Sequence, residues 1–271
     1  MTHRKGDRPA ERIVSLGPSV TSILVALGAK QKLVGVTKWC KDVVPPNTLR
    51  GLPELGDCWA FDVKAVLRLR PTLVIGSVPY KPELIASLLH APVPFLATNP
   101  RSLADIYAEI HLLGRIAGRQ AAAARLVASM KRELASVARQ AQRRSAGLKP
   151  RVYAEAWPNP RISSPPWVAE LIAVAGGEMA VPAGQKVSEQ QVVAAKPDVI
   201  VIAWAAAGDR PQARKELARM ATLPGWRNLP AIRNQRVHVI RDEWLNTPGP
   251  PLVQGTRALL EVLHPVTRSL Q

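Results

Sequence analysis

The sequence predicts an α/β protein of two Rossmann-like lobes. Each lobe has a parallel sheet, one long backbone helix joins them, and a ligand cleft lies between. Three observations predict this. Short apolar runs alternate with stretches at helical spacing, the pattern of strands with helices on both faces of a sheet. One phrase is written twice: FDVKAVLRLRPTLVIG from Phe61 and VSEQQVVAAKPDVIVIA from Val187 place Pro71 and Pro197 in register, 126 positions apart. Between the copies, residues 102–145 keep helical periodicity with no proline.

The elements follow in order. RIVSL (12–16) is an apolar run that stops at Gly17-Pro18. SVTSILVALGA has helical spacing, with Ser19 or Thr21 to cap it and Gly28 to end it. KLVGVT (32–37) is the next strand, and a proline-containing loop runs over 38–57. The first copy of the phrase supplies helix 62–69, Pro71 and strand 72–76; helix 82–90 and strand VPFLAT (93–98) complete the lobe, 1–100. Ile106, Ile110, Leu113, Ile116 and Ala117 then open a connecting helix, 101–147, with a bend near Gly114 or Gly118. In the second lobe, 148–271, RVYAEAW is a strand and PPWVAELIAVAGG a helix with a glycine stop. The second copy, helix 211–221, strand RVHVIRDE and a closing helix in TPGPPLVQGTRALLEVLHP finish the chain.

At 271 residues and 47% hydrophobic composition there is material for two cores. No apolar run approaches the ~20 residues that span a bilayer. MTHRKGDRPAERIVSLGPS carries charge but no apolar signal core. As written, the chain is expected in the cytoplasm; a start further upstream would place it in the periplasm or at the cell surface. Cys40 and Cys58 make neither a disulfide framework nor a zinc spacing. They are free in a reducing compartment and able to pair if exported. The net charge of +17 attracts polyanions without specificity. The basic residues are scattered apart from RQAQRRS (139–145), and no nucleic-acid motif is present, so no specific nucleic-acid partner is expected. GxSxG, HExxH and P-loop motifs are absent. His3, His90, His111, His238 and His264 form no ligand pair. No catalytic set is read, and no metal site.

Ligands of open α/β sheets sit beyond the carboxyl ends of the strands. Trp39 lies just after KLVGVT, Trp157 ends RVYAEAW, and Trp204 ends the strand of the second copy. Trp244 lies just after RVHVIRDE, and Tyr80 follows TLVIG. Trp59 and Trp167 lie in loops feeding helices; Trp226, at the other end of its lobe, is structural. Packing in a core is the competing use for such residues. With only 2 Phe in the chain, tryptophan is not a general core filler. Flat apolar faces, each with an N–H handle, suit a large planar ligand such as a macrocycle. Asp242 and Glu243 beside Trp244 are placed to contact a ligand's amides or cations, and as strand neighbours they face opposite ways. Cys40 and His238 are the side chains placed to ligate a metal, if any does.

These motifs carry a resemblance. RIVSLGPSVTSILVALG, KLVGVTKWCKDVVPP, LRLRPTLVIG, VSEQQVVAAKPDVIVI, LPGWRNLPAIRNQRVHVI and the closing helix together resemble class III substrate-binding proteins of ABC importers, nearest to the cobalamin-binding branch. The likeness runs from about Arg12 to His264. It implies two α/β lobes on a rigid backbone helix and a metal-chelate ligand: cobalamin or a related corrinoid, haem, or an iron–siderophore. A monomer without a resident cofactor is expected. The resemblance implies ligand contacts from Trp39, Trp59, Tyr80 and Trp244, with Trp157 and Trp204 in the matching loops of the second lobe. Three positions depart from the family. Ser22 stands where a PSxTE motif has Glu. The surface glutamates that dock each lobe on a permease are replaced by Lys64 and Gln190, with Glu189 one residue off. Lysine against a permease arginine is a like-charge contact, so a carrier uncoupled from transport is expected. The alternatives are an ordinary importer subunit whose export signal is missing, and an enzyme or accessory factor acting on a metal macrocycle.

Overall fold

A computed structural model describes residues 12–77, 81–204 and 210–266. It divides into two units, Met1–Ser129 and Met130–Gln271. The first contains β1 (Ile13–Ser15), α1 (Pro18–Ala26), β2 (Leu33–Val36), α2 (Val63–Arg68), β3 (Leu73–Ser77), α3 (Pro82–Leu89), β4 (Phe95–Thr98) and α4 (Leu103–Ile116). Its four strands are parallel, in the order β2-β1-β3-β4. Helix α5 (Gln120–Arg144) crosses the division. The second unit follows with β5 (Arg151–Pro158), β6 (Arg161–Ser163), α6 (Pro166–Val174), β7 (Glu178–Met179), α7 (Glu189–Ala195) and β8 (Val199–Ile202). It ends with α8 (Arg210–Thr222), α9 (Pro230–Arg233), β9 (Val237–Val239), α10 (Asp242–Leu245) and α11 (Leu252–Leu263). Here β7, β8 and β9 extend a parallel sheet about β5, in the same pattern as the first unit, and β6 adds an antiparallel hairpin.

The repeated phrase folds alike in both places. Asp62 caps α2 by accepting the Lys64 and Ala65 N–H groups, and Ser188 caps α7 in a capping box with Gln191. Both copies then place a basic residue in the left-handed region just before the proline: Arg70 at φ 47° and Lys196 at φ 46°. The residue after each proline clamps the start of the unit's first strand. Thr72 donates its N–H to the Arg12 carbonyl (2.8 Å) and accepts the Arg12 N–H on Oγ1 (3.2 Å). Asp198 does the same to Arg151, at 2.8 and 2.9 Å. Each sheet is buried by its own apolar run. Val14, Val74, Val66 and Leu88 centre one core; Tyr153, Ile200, Ile202, Val192 and Trp226 centre the other.

Three expectations are corrected. The connecting stretch is two helices rather than one. Gly118, at φ 66°, ends α4: its N–H reaches the Arg115 carbonyl at 3.1 Å and the Arg119 N–H reaches Gly114 at 2.6 Å. A residue without a Cβ adopts this left-handed cap at no steric cost, so the ladder stops there. RVHVIRDE is a strand only over β9, and Asp242, Glu243 and Trp244 belong to the helical turn α10. They therefore do not alternate across a strand. Neither Ser19 nor Thr21 caps α1; Gly17 occupies that position, Pro18 opens the helix, and both hydroxyl residues are buried.

Candidate functional site

In the first unit, β2 feeds a short 3₁₀ turn, Lys38–Val43, that carries Trp39. Trp39 and Trp59 keep 44% and 41% of their surface accessible, rare for so large an apolar side chain. Asp57 holds both in place. Its Oδ2 accepts the Trp39 indole N–H (3.1 Å) and pairs with the Lys38 ammonium (2.9 Å). Its Oδ1 accepts the Trp59 backbone N–H (3.2 Å) and the Cys58 thiol (3.4 Å). Lys38 also lies 4.5 Å over the Trp39 ring. Partial burial disfavours the Asp57 charge, but these donors outweigh it and hold the carboxyl below its ordinary range. Tyr80 lies outside the described residues.

Two thiols lie nearby. Cys40 is fully buried against Thr21 and Thr37, and burial raises its pKa. Burial, then the neighbouring Asp57, push Cys58 up to about 12. Both cysteines are free. His238 is the middle residue of the three-residue β9, and burial lowers its pKa. Among the described residues no three His, Cys, Asp or Glu side chains gather as a metal site.

In the second unit the strand ends carry three accessible tryptophans. Trp157, 53% exposed near the end of β5, donates its indole N–H to the Asn159 carbonyl at 3.0 Å. Trp204, just past β8, gives its N–H to Glu155 Oε1 at 2.9 Å. Glu155 is fully buried, and its other oxygen takes the Tyr153 hydroxyl (2.7 Å) and the Arg161 guanidinium (2.5 Å). Burial works against the Arg161 charge, but Glu155 overrides it and keeps the guanidinium firmly protonated. Arg161 also covers the Trp226 ring at 4.6 Å and reaches Glu189 at 3.6 Å. Trp226 is wholly buried, a structural residue as expected.

Trp244 sits on α10, half-buried, with the Arg241 guanidinium 5.4 Å from its ring centre. Three contacts fix this turn. Trp167, buried on α6, donates to the Leu245 carbonyl at 2.9 Å. The Asn246 side-chain amide bridges the Ala203 carbonyl and the Asp242 carboxylate, 2.6 Å to each. Gly255 on α11 lies so close that a Cβ there would stand 2.1 Å from the Trp244 carbonyl oxygen. Asp242 is an exposed residue, but the protein atoms crowded around its carboxyl raise it to about 6, against the opposing Asn246 bond.

The structure thus places Trp39 and Trp59 together in one unit and Trp157, Trp204, Asp242 and Trp244 at the strand ends of the other. Lys64 and Gln190 are both exposed at the starts of α2 and α7. Asp57, Glu155, Arg161 and Asn246 were not read as site residues. For Asp57 a signal existed, an acid directly before Cys58-Trp59; for Glu155 and Asn246 the bonds that reach the site, to Trp204 and to the Ala203 carbonyl, span 49 and 43 positions. A groove of about 600 Å³ beside Arg161, Glu189, Glu216 and Arg219 is lined by charges of both signs and by none of these tryptophans.

The family model described as "Periplasmic binding protein" matches residues 13–243. The chain belongs to this family. Among curated relatives, the "Uncharacterized ABC transporter substrate-binding lipoprotein YvrC" of Bacillus subtilis is 28% identical, covering 95% of this chain and 81% of its own. The "Cobalamin-binding protein" of Halobacterium salinarum is 26% identical over 96% of this chain and 71% of its own. Among solved structures, the periplasmic heme-binding protein RhuT from Roseiflexus sp. RS-1 is 28% identical with a TM-score of 0.76, covering 93% and 99% of the two chains. This periplasmic binding protein is therefore a ligand-binding α/β protein. No described helix is long and apolar enough to cross a membrane. The expectation about a signal sequence was read on residues 1–19, of which 1–11 lie outside the described ones.

Proposed function

We propose that this periplasmic binding protein binds a corrinoid, cobalamin or a close relative, on the aromatic faces at the carboxyl ends of its strands. One observation carries the reading: Trp39, Trp59, Trp157, Trp204 and Trp244 all stand at least partly exposed at those ends. Four of their indole or backbone N–H groups are already held by neighbouring carboxylates or carbonyls. The faces are thus set before a ligand arrives, which lowers the ordering cost of binding. The Asp242 carboxylate, already an acceptor for the Asn246 amide, supplies an acceptor for a ligand amide beside Trp244. The name of the Halobacterium relative supports a corrinoid, and that of the Roseiflexus structure keeps haem as the control ligand.

In the same reading the protein is a carrier not coupled to a permease. Lys64 and Gln190 replace the docking acids, and the one acid beside them, Glu189, is turned toward Arg161. The name of the Bacillus relative supports the second reading, an ordinary importer subunit.

Titration calorimetry with cyanocobalamin tests the ligand, and micromolar or tighter binding is expected. Binding of haem but not cobalamin withdraws the corrinoid reading. With a purified ABC permease of this family, the native chain is expected to dock weakly and the Lys64→Glu, Gln190→Glu variant more tightly. Tight docking by the native chain decides for the importer.

A further inference from the structure

Helix α5 carries a feature that ligand binding does not use. Its buried seam is Ala123, Val127, Met130, Leu134, Val137 and Ala141. At 3.6 residues per turn, Arg125, Arg132, Arg139 and Arg143 fall within about 40° of one another, directly opposite that seam. All four are exposed. The side chains between them on that half of the helix are Ala128, Ser129, Ala135, Ser136, Gln140 and Gln142, with no acid; Glu133 stands just outside, at about 95° from the stripe. The nearest acids are engaged elsewhere: Glu133 takes Arg257 at 2.5 Å, and Glu261 takes Arg144 at 2.7 Å. Among the described residues the four arginines form no ion pair.

A solvated helix face normally interleaves both signs of charge. This one is a straight line of a single sign, about 27 Å long at 1.5 Å per residue. Guanidinium groups bind phosphate in a planar, two-pronged geometry. The small residues between them let the rod approach a flat array of phosphates. No aromatic side chain lies in the line to stack on bases, and no groove tracks a strand, as single-stranded nucleic acid would require. No apolar side chain lies there to insert into acyl chains.

We propose that this arginine stripe lays α5 along an anionic lipid surface, as a peripheral and reversible contact. Attraction of this kind fades within a Debye length, about 10 Å at 0.1 M salt, so the contact is salt-sensitive. It stands independently of the ligand.

The test is co-sedimentation of the full chain with vesicles of phosphatidylcholine, with and without 30% phosphatidylglycerol, at 0.1 M salt. Binding is expected only with phosphatidylglycerol, and release at 0.5 M salt. Replacing Arg125, Arg132, Arg139 and Arg143 by Gln is expected to lower partitioning at least about ten-fold. A control variant replaces four exposed basic residues elsewhere, Lys30, Arg50, Arg227 and Arg233, and so keeps the same net charge. It is expected to retain most of the binding. Equal losses in the two variants overturn the proposal, because net charge would then suffice. Failure of the native chain to bind the anionic vesicles overturns it too. So does stripe-dependent binding of duplex DNA at protein concentrations that leave the vesicles bare.

Discussion

At the residue scale, the two units use one device: a carboxylate fixes a tryptophan through its indole N–H, Asp57 with Trp39 and Glu155 with Trp204. The carboxylates differ in what surrounds them. Asp57 is served by a partly exposed lysine, whereas Glu155 is wholly buried and balanced by Arg161. Removing Glu155 would strand a buried guanidinium, so Asp57 is the safer place to probe the device. Trp39→Ala is expected to weaken corrinoid binding by ~1–3 kcal/mol, the range of a buried anchor. Asp57→Ala is expected to cost ~1 kcal/mol of the same affinity by freeing the indole, and Asp57→Asn less, because the amide oxygen still accepts. Calorimetry across the three variants reads this order; equal affinities would reject Trp39 as a contact. The tryptophans were legible in the sequence because strand ends are. The partner of Trp204 was not: Glu155 lies 49 positions away and meets it only through the pairing of β5 with β8.

At the scale of elements, the turn α10 depends on what packs behind it. Gly255 lets α11 press against the Trp244 carbonyl. Gly255→Ala is expected to push α10 outward, costing ~1–3 kcal/mol of stability, the usual range for overpacking, and weakening the ligand contact of Trp244 as well. Denaturant unfolding and calorimetry on the same variant check both; a change in neither would mean the helices separate freely. This turn also shows where pattern reading runs out. RVHVIRDE alternates well enough for a strand, but its tail is a helical turn held by Trp167, Asn246 and the close approach of α11, contacts that no local pattern announces. The glycine break in the connecting helix was visible, since Gly118 is one of two residues that marked a bend. That it would end the helix outright depended on the two cap bonds that close around it.

At the scale of the molecule, the doubled architecture was the most legible feature, because register, cap, proline and strand all repeat at one spacing. One buried acid inside the first unit was not. Glu109 on α4 accepts the Thr98 hydroxyl on Oε1 (3.0 Å), while its buried Oε2 has no hydrogen-bond partner. Burial raises its carboxyl to about 7 from an ordinary 4.5. The folded chain therefore holds a proton that the unfolded chain releases between those values, and stability falls as pH rises through that window, then levels off. The loss is on the order of 3 kcal/mol. Glu109→Gln is expected to remove this part of the slope, leaving that of Asp242 below about 6, and to exceed the native chain in stability at pH 8. Melting curves from pH 4.5 to 8 check it, and parallel curves would reject it. The accessible indoles have a consequence of another kind. Trp39, Trp59 and Trp157 emit from a watery environment, whereas Trp167 and Trp226 emit from an apolar one. With only 3 Tyr and 2 Phe beside them, these rings dominate the protein's ultraviolet optics. Anything that settles over one of these exposed rings shifts its emission to shorter wavelength, and a coloured chelate quenches it. The chain is thus its own fluorescent reporter, and a collection of unlabelled compounds can be screened on it in a plate reader.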